Sequence, residues 1–132
     1  MTAFFVDTSV WIDYFRDPAS VYKKILMDLI EEDRIYTNGI VVAELLIGAK
    51  SALEFDVASD LRTGVRFLES DAAFFLQTGR NGYHLRRKGL TVPLSDVMIA
   101  THCLEHDLTL ISQDRHFEIL AEHLPLKRYP RA

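Results

Sequence analysis

The sequence predicts an α/β fold in which helices cover both faces of a central, mostly parallel sheet. Short β-rich apolar runs alternate along the chain with segments of helical periodicity. Such alternation indicates a parallel sheet, because each helix carries the chain back across one face of it. A hydrophobic content of 48% in 132 residues is ample for a core. We therefore expect one three-layer α/β/α domain spanning residues 1–132.

Two strands and four helices are predicted in the first half of the chain. The continuous apolar run at residues 3–6 indicates a buried strand, and a second strand is predicted at residues 34–37. The apolar patterns that follow these strands indicate helices at residues 10–15, 21–32, 40–50 and from 52 into the sixties.

Three strands and three helices are predicted in the second half. The strands are expected at residues 66–68, 108–111 and 126–129, the last of them at an edge of the sheet. Helices are expected at residues 72–88, 95–106 and 115–122. Gly79 and Gly82 are weak points of the first of these helices, and Ser95 is a suitable N-cap for the second.

Four acidic side chains lie at the ends of apolar runs or inside them: Asp7, Glu44, Asp96 and Asp114. Isolated ionised carboxylates are costly to bury, so a chain that keeps several beside its core has a cation or a reaction for them. Asp7 and Asp114 follow predicted strands and Asp96 opens a helix, so the three can converge at the carboxyl edge of the sheet. Oxygen ligands of this kind suit Mg²⁺ or Mn²⁺. The sequence therefore predicts a metal-dependent enzyme acting on phosphate esters.

Each of these carboxylates also has a purely structural interpretation. Asp7 and Asp114 can cap the helices that follow them, and a first-turn Asp96 is favoured by the helix dipole. Glu44 has only apolar helical neighbours, so its structural alternative is a salt bridge to an arginine. Ser112 offers a hydroxyl for a hydrogen bond near Asp114. The shared placement of the four acids favours a site over four separate structural roles.

Other chemistries are less well supported. Residues 102–106 match the H-x-x-E-H pattern of one zinc-protease group, but the helical wheel turns both histidines toward water and no third ligand is evident. We reject that motif as a site. Phosphate-binding glycine loops are absent from the sequence. Cys103 lies on the core side of its helix, the usual position of an unreactive thiol.

Composition bounds the environment and the partners. No apolar stretch approaches the ~20 residues that span a bilayer, no signal peptide is evident, and a single cysteine makes the cytosol the expected compartment. A formal net charge of −4 gives no overall basic footprint for nucleic acid. Two local basic clusters are either solvated surface or substrate-steering charge, and they comprise Arg80, Arg86, Arg87 and Lys88, and Lys127, Arg128 and Arg131.

Four blocks of the sequence resemble the PIN-domain nucleases. They are Val-Asp-Thr-Ser-Val-Trp-Ile-Asp at 6–13, Val-Val-Ala-Glu-Leu-Leu-Ile-Gly at 41–48, Leu-Ser-Asp-Val-Met-Ile-Ala at 94–100 and Ile-Ser-Gln-Asp-Arg-His-Phe at 111–117. The blocks occur in family order and the likeness covers essentially the whole chain. The best match is the VapC toxin branch, the ribonuclease half of bacterial and archaeal toxin–antitoxin pairs.

The resemblance implies a metal-dependent endoribonuclease on a PIN-like α/β/α fold. Asp7 and Asp96 match the main metal-binding positions, and Glu44 and Asp114 complete the family's acidic quartet. Ser112 stands where the family has Thr or Ser. The implied cofactor is Mg²⁺ or Mn²⁺, the implied substrate is RNA, and the implied product carries a 5′-phosphate.

Apolar surface on two predicted helices points to a partner. The helices predicted at residues 10–15 and 40–49 have apolar faces wider than the single stripe by which an ordinary surface helix packs against the core. The additional apolar surface indicates either an interface or deeper burial. Resemblance favours a VapB-type antitoxin laid into a groove lined by Trp11 and Phe15, together with a toxin homodimer. The alternatives from other classes are a non-catalytic interaction module and a small Mg-dependent phosphatase, although the chain lacks the D-x-D pair of the latter.

Overall fold

The computed structural model describes residues 1–130, so Arg131 of the second basic cluster lies outside the described part. Within residues 1–130, five strands and seven helices alternate along the chain. They are β1 Phe4–Val6, α1 Thr8–Arg16, α2 Tyr22–Glu31, β2 Ile35–Asn38, α3 Gly39–Ile47, α4 Ala52–Gly64, β3 Arg66–Leu68, α5 Ala72–Arg87, α6 Leu94–Glu105, β4 Thr109–Ile111, α7 His116–His123 and β5 Lys127–Arg128.

The strands form one sheet in the order β3-β2-β1-β4-β5, and every neighbouring pair is parallel. β1 lies at the centre, where Phe4 is in register with Ile35 of β2 and with Thr109 of β4. The chain first moves outward from β1 to β3 and then returns to the other side of β1. That reversal places a switch point between β1 and β4, where ligands bind in such sheets. The predicted three-layer α/β/α fold is confirmed, with a wholly parallel sheet.

Side-chain caps define most helix starts. Asp7 caps α1, Asn38 caps α3, Ser51 caps α4 and Asp71 caps α5. Helix α1 consequently begins at residue 8, two residues earlier than predicted.

The predicted Ser95 cap is wrong. Pro93 occupies the N-cap position of α6, and its carbonyl accepts hydrogen bonds from the backbone N–H groups of Asp96 and Val97. Ser95 therefore lies inside the first turn. Proline suits this position because its fixed φ and missing N–H cost nothing where the chain enters a helix.

Two helices end with an aspartate in the left-handed region. Asp33, at φ 56°, follows α2, and Asp107, at φ 53°, follows α6. In each case the next residue's N–H bonds back into the last helical turn: Arg34 to Leu29 and Leu108 to Cys103. This is the Schellman arrangement, and it turns the chain directly into β2 and β4.

The apolar helices are buried unequally. Trp11 is 0% exposed and its ring stacks on Phe15 with centroids 5.7 Å apart, so the predicted groove lining at Trp11 is wrong. At the end of α3 and the start of α4, by contrast, Ile47 is 85% and Leu53 is 73% exposed. The surplus apolar surface therefore lies on the α3–α4 side rather than on α1. Among the described residues, no helix is long and apolar enough to cross a membrane.

Candidate active site

Asp7 lies at the junction between β1 and α1, at the carboxyl end of the central strand. Its carboxylate accepts three hydrogen bonds, from the Thr8 N–H at 2.7 Å, the Ser9 hydroxyl at 3.0 Å and the Ser112 hydroxyl at 2.9 Å. The backbone N–H of Asp7 also donates to the carbonyl of Ile111. The side chain is thus both the cap of α1 and a carboxylate held in one orientation.

Ser112 joins two of the predicted acids. Its hydroxyl donates to Asp7 Oδ2 and accepts from the backbone N–H of Asp114, each at 2.9 Å. The loop after β4 is thereby fixed against the end of β1. The predicted hydrogen-bonding role of Ser112 is confirmed, although the carboxylate that it contacts is that of Asp7.

Asp96 and Asp114 meet at a histidine that the sequence analysis did not single out. His116 Nδ1 lies 3.1 Å from Asp96 Oδ2 and 3.4 Å from Asp114 Oδ1. One ligand atom from each of these three side chains lies within 4.8 Å of the other two, so the group could hold a metal ion. The Asp96 side chain is 13% exposed, and those of Asp114 and His116 are more open, at 38% and 54%.

Glu44 approaches the same edge from α3. Its Oε1 accepts from the Thr8 hydroxyl at 3.0 Å, and the N–H of the same Thr8 donates to Asp7. Glu44 is thus one side chain removed from Asp7. None of the ion pairs within residues 1–130 involves Glu44, so the structural alternative of a salt bridge to an arginine is absent there.

Two carboxylates of this cluster, those of Asp7 and Asp96, have raised pKa values. Burial raises the pKa of Asp7 above its usual range, with a smaller contribution from the negative charge of Asp114, even though three hydrogen bonds act in the opposite direction. Burial raises the pKa of Asp96 to about 6, and the charges of Asp114 and Asp7 add to the rise while His116 opposes it. The mutual repulsion shows that Asp7, Asp96 and Asp114 share one electrostatic environment. A divalent cation there would relieve it, so these residues fit a metal ion.

The H-x-x-E-H segment is not a metal site, but the predicted orientation of His102 is wrong. His102 is 1% exposed, its Nδ1 lies 2.9 Å from Asn38 Nδ2 and its Nε2 lies 3.2 Å from the carbonyl of Glu69. Both ring nitrogens therefore have partners. Glu105 and His106 are exposed as predicted. Cys103 is buried as predicted, and burial raises the pKa of its thiol.

Three residues of this edge were missed from the sequence: Thr8, Ser9 and His116. Thr8 and Ser9 directly follow Asp7, and hydroxyl residues after a strand-ending aspartate are a signal that could have identified them. His116 gives no such signal, because a histidine at the start of a short helix is usually a surface residue. Only the position of α7 relative to α6 brings it to Asp96.

The chain is similar to known proteins over nearly its whole length. A family model described as PIN domain matches residues 4–123. The VapC ribonuclease Mb1587 of Mycobacterium bovis is 28% identical over 120 residues, covering 88% of this chain and 90% of that protein.

Two solved structures share the fold. One is VapBC2 from Rickettsia felis, bound to a DNA fragment from its promoter, with a TM-score of 0.79, 20% identity and coverage of 97% of this chain and 98% of that one. The other is VapBC-5 from Mycobacterium tuberculosis, a member of the VapBC family of toxin-antitoxin systems, with a TM-score of 0.71, 22% identity and coverage of 99% and 100%.

Proposed function

The chain belongs to the PIN-domain family, and from that premise we propose that it is a divalent-metal-dependent endoribonuclease that acts as the toxin of a toxin–antitoxin pair. The names of the Mycobacterium bovis ribonuclease and of the VapBC assemblies support this choice of substrate and role. The family model covers residues 4–123, which supports treating residues 1–132 as a single PIN domain.

One observation carries the proposal: three carboxylates converge at the switch point of the sheet with no fixed cation beside them. The charge of Asp114 raises the pKa of both Asp7 and Asp96, and the charge of Asp7 adds to the rise at Asp96. Within residues 1–130 the only basic group paired with any of the three is the imidazole of His116. A fold that served structure alone would gain by replacing such a cluster with neutral residues. The cluster is explained if its function is to bind a cation.

Asp7 and Asp96 would hold the ion, with Asp114 and His116, which lie beside Asp96, as further ligands. We assign Mg²⁺ or Mn²⁺ to this set of three carboxylates and one imidazole. Both ions bind carboxylates, whereas imidazole suits Mn²⁺ better than Mg²⁺. Such an ion would supply positive charge to lower the pKa of a water molecule and to stabilise the charge on the attacked phosphate. Glu44 completes the catalytic set through its link to Thr8.

The reaction proposed is hydrolysis of a phosphodiester bond. The water oxygen forms a bond to phosphorus, the 3′-oxygen leaves with the electron pair of the broken bond, and that oxygen takes up a proton. The products carry a 5′-phosphate and a 3′-hydroxyl. Asp7 contributes by orientation, because its three hydrogen bonds hold its carboxylate in place before any substrate arrives.

The decisive experiment is incubation of metal-free protein with end-labelled RNA, with and without added Mg²⁺ or Mn²⁺. Wild type should cleave only with metal, and Asp96→Asn, which keeps the size of the side chain and removes its charge, should not cleave at all. Asp60→Asn, an exposed change on α4, serves as the matched control and should cleave normally. Cleavage that persists in excess chelator, or in both Asp7→Asn and Asp96→Asn, would sink the proposal.

The partners follow from the same assignment. We propose that a VapB-type antitoxin binds this chain and that the toxin forms a homodimer. The exposed apolar surface at Ile47, Leu53 and Phe55 supports the existence of a protein interface on the α3–α4 side.

A further inference from the structure

A cavity of about 360 Å³ lies between α5 and α6, next to the carboxylate cluster but lined by different residues. Its α6 wall is formed by Leu94 and Val97, which flank Asp96 in the first turns of that helix. The facing wall is one side of α5. The first turns of α6 therefore carry both a wall of the cavity and one carboxylate of the candidate site.

A buried hydroxyl in the cavity wall lacks a partner. Thr78 lines the cavity and is 2% exposed, and its Oγ1 makes no hydrogen bond to any described residue. Helical threonines commonly satisfy their hydroxyl on the carbonyl one turn earlier, as Thr101 does on Val97. The Thr78 oxygen is closed to solvent, so Thr78 forms part of the cavity floor and does not hydrogen-bond to a ligand.

The cavity also has room for a flat ring. Gly79 and Gly82 form part of its lining, and a Cβ atom added to Gly79 would meet nothing within 4 Å. Tyr83 and Leu94 stand at the mouth with 68% and 66% of their surface exposed. An exposed tyrosine beside an open apolar wall is the arrangement on which nucleobases stack in single-stranded nucleic acid complexes.

The charge at this helix favours an anionic ligand. Arg86 lines the cavity, and Arg80, Arg87 and Lys88 extend the positive charge of α5. None of these four cations takes part in an ion pair within residues 1–130. In a chain with a net charge of −4, such an unneutralised basic segment beside a carboxylate site indicates where a phosphate backbone would run.

We propose that this cavity is a nucleotide-binding subsite for single-stranded RNA. The base stacks on Tyr83, and Arg86 contacts a phosphate. The inference rests on the proposed ribonuclease function and adds to it the residues that position the strand beside the carboxylates. Tyr83 and Arg86 are therefore substrate-positioning residues.

The test measures binding without cleavage, by fluorescence anisotropy of a labelled single-stranded RNA in excess chelator at several salt concentrations. Tyr83→Leu should weaken binding about tenfold and leave the salt dependence unchanged, because it removes stacking but no charge. Arg86→Gln should lower the slope of log affinity against log salt by about 0.7, the value for one contact to a single strand.

Gly79→Leu provides a variant that fills the cavity without endangering the fold. Leucine is the better helix former, and the added side chain enters open space, so folding should be preserved while RNA binding falls. Arg87→Gln is the matched charge control, since it removes the same charge from outside the cavity. Equal losses of affinity and slope in Arg86→Gln and Arg87→Gln would show diffuse attraction and overturn the subsite.

Sedimentation of the same variants addresses the competing occupant, a second copy of the chain. If Tyr83→Leu and Gly79→Leu change the oligomeric state and leave RNA affinity at the wild-type value, the cavity is a self-association surface and the proposal is wrong. Adding Mn²⁺ to wild type separates the two levels of inference. If the variants bind RNA as expected but wild type does not cleave it, the subsite is supported and the proposed activity is wrong. If wild type cleaves RNA but every variant binds it as tightly as wild type does, only the subsite is wrong.

Discussion

Asp96 bears a negative charge at neutral pH in a place where burial and two other carboxylates oppose it. Its pKa is raised to about 6 from an ordinary value of 3.8, so in the absence of metal the stability that it contributes is lost as the pH rises through about 6. Asp96→Asn should therefore raise the stability of the metal-free protein at neutral pH by on the order of 1 kcal/mol. Thermal melts in chelator measure this change, with Asp60→Asn as the surface control.

The opposite outcome is informative. If Asp96→Asn melts lower than wild type in chelator and Mn²⁺ leaves the wild-type melting temperature unmoved, Asp96 serves α6 as a first-turn acid and the site assignment fails.

His116 places a nitrogen beside the carboxylate oxygens of Asp96 and Asp114. Because imidazole favours Mn²⁺ over Mg²⁺, His116→Gln should weaken Mn²⁺ binding by on the order of tenfold and weaken Mg²⁺ binding less. Calorimetric titration of metal-free protein with each ion measures the two affinities, and His123→Gln at the other end of α7 is the control. Equal losses for both ions would mean that His116 only orients Asp96.

His102 should make the fold sensitive to acid. Asn38 Oδ1 accepts the Val41 N–H, so its Nδ2 group donates to His102 Nδ1, and His102 Nε2–H then donates to Glu69. Burial lowers the pKa of His102, and His106 lowers it further. A histidine of this kind contributes stability that is complete above about pH 6.5, the value in the unfolded chain, and is lost as the pH falls below it.

The measurement uses the Asp96→Asn background, because Asp96 gives the opposite pH slope. On acidification from about pH 7.5 to about pH 5.5, that protein should lose stability, and the same protein with His102→Gln should lose less. An NMR titration of His102 with a midpoint above about 6.5 would contradict the argument.

The convergence of Asp7 and Asp114 was predictable from the sequence, because both follow central strands and the carboxyl ends of parallel strands meet at one edge of the sheet. The burial of His102 was not predictable, because a helical wheel assumes one buried face. Helix α6 is instead packed against α3, α5 and α7, and every residue from 97 to 103 is buried. A histidine on the predicted outer face therefore lies in the interior.

Of the two apolar segments predicted as an interface or as deeper burial, α1 is buried at Trp11 and the α3–α4 segment is exposed at Ile47 and Leu53. Trp11 is fully buried, so Trp11→Ala should cost about 3–5 kcal/mol of stability by the usual loss for a large aromatic in a core. Ile47→Ala should change stability by less than about 0.5 kcal/mol, as exposed positions do, and should weaken assembly with the antitoxin or with a second copy. Denaturant unfolding and a co-purification assay measure the two effects.

A contrary pattern has a clear meaning. If both Ile47→Ala and Leu53→Ala bind the antitoxin and self-associate as strongly as wild type does, the interface lies elsewhere on the molecule. The sequence showed that α1 and α3 are both unusually apolar, but the distinction between core and surface depends on what packs over them. Tyr14 and Phe15 pack around Trp11, whereas Ile47 has no such cover.

A bound metal ion should raise the free energy of unfolding of the whole molecule, because the unfolded chain cannot form the site. Asp7, Asp96 and Asp114 come from three distant parts of the sequence, so an ion binds the folded state preferentially. Mn²⁺ at about 100 times its dissociation constant should stabilise wild type by about 2.7 kcal/mol. The melting temperature of Asp96→Asn should change little on addition of Mn²⁺. A wild-type melting temperature that stays the same at every Mn²⁺ concentration would exclude a metal centre.

The position of β1 in the sheet has a consequence for the cell that synthesises the protein. Asp7 is translated 105 residues before its hydrogen-bonding Ser112. Its partner strand β4 and the Asp96-contacting His116 are also translated long after it. A parallel pairing between segments this far apart forms only when both are present. A nascent chain that has not yet reached α7 therefore carries an incomplete site, however long its first strand has been in solution.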